Sequence, residues 1–112
     1  MSRIGWFKDK LPTRWRALSA YRRGMAKARR QDPAGAINDY TSVIEMSHAP
    51  KDVVAMALFN RGLAYVASGE FLKGDDDLTV VLQMDGAPTN VKRMAKKKLA
   101  KRKSRKKPDS PE

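Results

Sequence analysis

The sequence predicts an all-α protein built from two stacked helical hairpins, a capping helix and a basic tail. Three observations predict it. The chain repeats itself, apolar residues recur at helical spacing in both copies, and helix start and stop signals fall between the runs.

Sliding the 112-residue sequence on itself by 38 positions aligns residues 17–50 with 55–88 without a gap. Ten of the 34 aligned positions are identical: Ala17/Ala55, Arg23/Arg61, Gly24/Gly62, Ala26/Ala64, Asp39/Asp77, Thr41/Thr79, Val43/Val81, Met46/Met84, Ala49/Ala87 and Pro50/Pro88. A period of this length is the signature of stacked supersecondary units. The expected organisation is a lead-in over 1–16, one unit over 17–50, a second over 51–88, a capping helix over 89–100 and a disordered tail over 101–112.

Each unit reads as two helices. Leu18, Tyr21, Met25 and Ala28 form the first stripe. Asp32-Pro33 then supplies a capping carboxylate and a proline at the first helical position. Ala36, Tyr40, Val43 and Ile44 continue the second helix. In the second unit, Val54, Leu58, Gly62 and Tyr65 share a face, Gly69 punctuates, and Phe71, Gly74, Leu78, Val81 and Leu82 follow. The Ala-Pro pairs at 49–50 and 87–88 end the units, because the residue before proline is pushed out of the α region. Thr89 or Asn90 is the expected cap of a fifth helix with a seam of Val91, Met94, Ala95 and Leu99. Ahead of the repeats, Trp6, Phe7, Leu11 and Trp15 form an aromatic lead-in broken by Pro12; packed on the first unit they cap the stack, and with their neighbouring cations they also suit a membrane interface.

Charge is segregated. Residues 1–31 carry +9, residues 32–91 carry −6, residues 92–107 carry +11 and the last five carry −2, giving the net +12. This pattern suits a polyanion, an acidic protein, or contacts between the ends and the middle. The absence of cysteine removes disulfides and thiolate metal sites and fits a reducing compartment, so the expected location is cytoplasmic. No apolar run reaches the ~20 residues that span a bilayer.

Paired antiparallel helices with a glycine inside the first and a small residue inside the second resemble the tetratricopeptide repeat family. Asn60-Arg61-Gly62-Leu63-Ala64-Tyr65, followed by Gly74, Leu78 and Val81, carries the likeness best, and Arg23-Gly24, Ala36, Tyr40 and Val43 repeat it. The resemblance covers about residues 17–88 and implies right-handed stacking of two such hairpins. Ala20 and Lys27 stand where bulky apolar residues are usual, and the period exceeds the family's ~34 residues.

The resemblance implies a non-catalytic protein-binding scaffold whose concave surface takes a peptide or helix. The groove residues are then Leu18, Tyr21, Arg22, Met25, Met56, Phe59, Asn60 and Leu63. The same surface also suits filling by the C-terminal helix or by another copy of the chain. Of the residues with which many members hold a peptide carboxylate, only Asn60 has a counterpart, so that mode is not expected. The second candidate site is polyanion-binding: Lys92, Arg93, Lys96, Lys97, Lys98, Lys101, Arg102, Lys103, Arg105, Lys106 and Lys107. No aromatic residue interleaves them, which favours phosphate contact over base stacking.

The expected partner is a protein or peptide, acidic in character. Nucleic acid bound by the tail is the alternative, and self-assembly into a homo-oligomer a further one; a membrane partner is not expected. Asp75-Asp76-Asp77 diverge by about 100° per residue on a helix and are expected to solvate an exposed face. His48 stands alone beside a turn. No catalytic residue, metal or cofactor is expected.

Overall fold

The structure, a computed structural model, describes residues 12–106, with side chains to Ser104. The described residues form five α-helices and no strand: α1 (Thr13–Arg29), α2 (Pro33–Ile44), α3 (Lys51–Ala67), α4 (Phe71–Gln83) and α5 (Thr89–Lys106). The chain is all-α, as its periodicity predicts.

The helix boundaries follow the repeat more closely than the sequence reading did. A proline precedes each odd-numbered helix at 38-residue spacing: Pro12, Pro50 and Pro88. Pro12 and Pro50 adopt nearly the same extended backbone, with φ −55°, ψ 141° and φ −58°, ψ 137°. Proline has its φ fixed and no N–H to leave unpaired, so it suits a helix entrance. The odd helices therefore begin directly after proline, and α5 begins at Thr89 rather than being capped by it. Pro12 thus does not interrupt the lead-in; it opens α1, four residues before the expected start of the repeat. At the start of α2, Asp32 accepts a 2.9 Å hydrogen bond from the Gly35 N–H with Pro33 at the first helical position, the predicted cap.

The turns repeat too. Gln31 and Gly69, 38 positions apart, have φ of +62° and +85°; His48 and Gly86 have +62° and +88°. The backbone makes one left-handed residue in each turn, filled by glycine in the second unit and by ordinary side chains in the first.

Consecutive helices pack on one another, and α3 also touches α1 and α5. The odd helices thus form one layer and α2 and α4 the other. The first core cluster joins Ala17, Ala20, Ala36, Tyr40 and Val43 of the first hairpin to Val53 and Ala57 of α3. The second joins Leu58, Phe59, Leu78 and Val81 to Val91 and Ala95 of α5. Each fully buried Val or Leu here contributes about 1.5–3 kcal/mol. Glycine is needed where helices cross. A Cβ on Gly74 would lie 2.7 Å from the Gly62 carbonyl oxygen, and one on Gly24 would lie 2.5 Å from the Tyr40 ring.

The identities Arg23/Arg61 and Asp39/Asp77 prove to be an ion pair made twice. Arg61 donates from Nε and Nη2 to the two Asp77 oxygens at 2.8 Å each, and from Nη1 to Thr41 of the preceding hairpin at 3.1 Å. In the first hairpin, Arg23 lies 3.7 Å from Asp39, whose other oxygen meets Lys27 Nζ at 3.0 Å. The expectation that Asp75-Asp76-Asp77 solvate an exposed face is therefore corrected. Asp77 is buried against Arg61 and Asp75 pairs with Arg102, which leaves Asp76 on the surface. Their divergence on the helix is what sends two of them to different partners.

Helix α5 stands where a third odd-numbered helix of the stack belongs. Val91 and Ala95 occupy the places of Val53 and Ala57, and all four are buried. On the face with which α3 receives α4, however, Lys96 and Lys103 replace Leu58 and Tyr65 and are exposed. This change gives the stack a solvated end, as a terminal repeat requires. The helix reaches Lys106, beyond the expected boundary at residue 100, so residues 101–106 are not the disordered tail anticipated. Arg102 accounts for the extension: it lies 2.5 Å and 3.1 Å from the two Asp75 oxygens and its guanidinium stacks over Phe71 at 4.8 Å.

Candidate docking groove and basic helix

Residues one or two turns apart on α3 line a cavity between α1 and α3. Asn60, Leu63, Ala64 and Ala67 share one stripe and face Ala28 of α1 and Tyr40 of α2, with Gln31 and Pro33 closing the end. The volume is about 520 Å³. Small residues create it: alanines at 28, 64 and 67 leave space that larger side chains would fill.

Its polar groups are few and fixed. Asn60 donates through Nδ2 to the Tyr21 hydroxyl at 3.0 Å and to the Met56 carbonyl at 2.9 Å. The Asn60 Oδ1 accepts no hydrogen bond among the described residues. The rings of Tyr21 and Tyr40 meet with centroids 5.9 Å apart, tilted by 43°. Burial, and secondarily the neighbouring Tyr21, pushes the Tyr40 hydroxyl up to about 12, so it is a neutral donor at physiological pH. Its hydroxyl has no partner among the described residues. A visiting amide would therefore meet one acceptor and one donor set in an apolar wall.

The eight groove residues expected from sequence divide. Asn60 and Leu63 line the cavity and Tyr21 positions Asn60. Leu18, Met25 and Met56 are half-buried and pack against the first core cluster, while Arg22 is exposed. Phe59 is not a groove residue: it is 7% exposed and lies in the second cluster with Val91 and Ala95 of α5. Helix α5 thus covers one part of the inner surface and leaves the α1–α3 part open. Tyr40, on the predicted apolar stripe of α2, lines the groove as well as the core, with its ring against Gly24 at the helix crossing.

A second groove of about 170 Å³ runs between α3 and α5, lined by Leu63, Val66, Leu78, Lys98, Lys101 and Arg102. Leu63 separates the two grooves. On α5, Lys92, Arg93, Lys96, Lys97, Lys98, Lys101 and Lys103 form no ion pair among the described residues. Arg102 is the exception within the predicted polyanion set, being spent on Asp75. The side chains of Arg105 and Lys106, and all of Lys107, lie outside the described residues. So do Trp6, Phe7 and Leu11 of the lead-in; Trp15 is within them and 68% exposed.

Comparison with family models, curated proteins and solved structures gives no match. Among the described residues no helix is long and apolar enough to cross a membrane.

Proposed function

We propose that the protein is a non-catalytic docking module of tetratricopeptide type that holds a peptide or helix of a partner protein in the groove between α1 and α3. The groove itself carries this reading: about 520 Å³ lined mainly by apolar atoms of Leu63, Ala64, Ala67 and Ala28, with Asn60 Oδ1 and the Tyr40 hydroxyl left for a ligand. Such a site, mostly apolar with a few placed polar groups, is what peptide recognition uses. The chemistry of its polar groups supports binding over catalysis. A phenol raised to about 12 keeps its proton near neutral pH, and the amide is already oriented by two hydrogen bonds.

Cations are exposed on the helices to either side of α3. Arg22 and Arg29 on α1 are exposed, as are Lys98 and Lys101 on α5. Several acids are spent internally: Asp39, Asp52, Glu70, Asp75 and Asp77 each sit in an ion pair. The surplus positive charge would speed association with an acidic partner.

The test is capture from nuclease-treated lysate at about 0.3 M salt, where the screening length is roughly 5–6 Å. Ala28→Glu/Ala67→Glu fills and charges the groove at two exposed positions, sparing the core. A partner retained by the wild type and lost by this variant supports the reading. Equal retention by both contradicts it.

The seven unpaired cations on the described part of α5 favour a second reading, phosphate contact with nucleic acid. That reading predicts affinity falling by orders of magnitude between low and moderate salt, and loss of binding in Lys96→Glu/Lys97→Glu/Lys101→Glu with the groove intact.

A further inference from the structure

The exposed Trp15 stands at a position that the other two odd-numbered helices bury. Val53 on α3 and Val91 on α5 are its counterparts at 38 and 76 residues, and they are 0% and 3% exposed. Each is covered by the hairpin before it. Val53 packs with Tyr40, Val43 and Ile44, and Val91 packs with Leu78, Val81 and Leu82, the residues one period later. Trp15 is 68% exposed and borders a groove of about 330 Å³ between α1 and α2, floored by Ser19, Ala20, Ser42 and Met46.

Continuing the register backwards names what would cover it. One period before Tyr40, Val43 and Ile44 stand Ser2, Gly5 and Trp6; one period before Ala49-Pro50 stands Leu11-Pro12. Ala49 and Ala87 both pack against the core, as do Ile44 and Leu82. The sizes compensate. Where Tyr40 and Val43 lie over small Val53 and Ala57, Ser2 and Gly5 would lie over Trp15 and Ser19, with Trp6 supplying the bulk. Conserved total volume with redistributed side chains is what a packed interface tolerates.

We propose that residues 1–11 of this chain dock on the α1–α2 groove, with Trp6 and Leu11 covering Trp15 and Ser19 as Ile44 and Ala49 cover Val53 and Ala57. The eleven residues before Pro12 suffice to reach, because Leu11 adjoins α1 and Trp6 need take only the place of the last turn of an even-numbered helix. In this arrangement both ends of the stack are closed: one by lysines on α5, the other by the chain's own aromatic lead-in. That leaves the α1–α3 groove open, though the inference does not depend on what that groove binds.

Trp6 and Trp15 are the two tryptophans of the chain, which makes the proposal directly readable. In the full chain carrying Trp6→Phe, Trp15 is the sole emitter and keeps an apolar residue at position 6. Its emission is expected to be blue-shifted and shielded from acrylamide. In the full chain carrying Trp6→Ser and Leu11→Ser, the emission should shift red and quenching should rise several-fold, with helix content by circular dichroism unchanged. Equal, high quenching in both variants would overturn the proposal. So would shielding that appears only at high concentration together with a dimer mass by light scattering, since a second copy would then be the cover.

Discussion

Arg61 and Asp77 form a two-pronged contact with both guanidinium–carboxylate distances at 2.8 Å. Their side chains are 18% and 8% exposed, whereas Arg23, one period earlier, is 60% exposed and 3.7 Å from Asp39. The same pair of residue types therefore carries different weight in the two hairpins. Removing one partner of a buried pair strands the other charge at a cost of about 3–5 kcal/mol. Asp77→Ala is expected near the lower end of that range, because Arg61 retains Thr41 and the face of Tyr65. Arg23→Ala is expected to cost less than about 1 kcal/mol, as exposed pairs do. Urea unfolding of the two variants checks the ranking.

The turns supply a stabilising prediction. Gln31 and His48 hold φ of +62° where the second hairpin has Gly69 and Gly86. A side chain there costs roughly 1 kcal/mol against the left-handed conformation, partly offset by glycine's greater freedom in the unfolded chain. Gln31→Gly and His48→Gly should each raise stability by about 0.5 kcal/mol, and the double variant by their sum. Thermal unfolding reads this directly. A loss in either variant would show that its side chain does more than occupy the turn.

Much of this architecture is legible in the sequence because an ungapped repeat transmits local geometry. The period aligns the buried residues, the ion pairs and even the turn conformations of two hairpins. What periodicity does not convey is which neighbour covers a face. Phe59 and Leu63 lie one turn apart on α3 and read alike, yet α5 buries the first and leaves the second between two grooves. Asp75 and Asp77 read as solvated because their cations, Arg102 and Arg61, lie 27 and 16 residues away. Pro12 reads as a break in the lead-in rather than a helix entrance because the residues following it diverge: Trp15 and Ser19 match Val53 and Ala57 in place and not in kind.

Close helix approach gives a third prediction. At Gly74 a methyl group would meet Val66 Cγ2 at 2.6 Å and the Gly62 carbonyl oxygen at 2.7 Å. Side chains can shift, but the carbonyl belongs to the α3 backbone. Gly74→Ala should therefore separate α3 from α4 and destabilise by about 1–3 kcal/mol despite alanine's better helix propensity. Unfolding free energy and hydrogen exchange across α4 report it.

The alkaline limb of the stability profile follows from Tyr40. Its hydroxyl is raised from 10.0 to about 12 in the folded chain, chiefly by burial. The folded state thus holds this proton more tightly than the unfolded state. The associated stability is fully present below pH 10 and is lost as pH climbs toward 12. Wild type should lose stability faster than Tyr40→Phe across that window. Parallel profiles would remove Tyr40 as the cause.

The α1–α3 groove as the docking surface is tested most directly by site-specific photo-crosslinking. A benzophenone side chain is placed at Ala67, an exposed wall of the groove, and separately at Arg93 on the outer face of α5. At about 0.3 M salt, the groove position should give a discrete protein adduct that Leu63→Asp abolishes, and Arg93 should give none. Adducts from Arg93 alone, or nucleic acid in place of protein, would contradict the groove and assign binding to the basic helix.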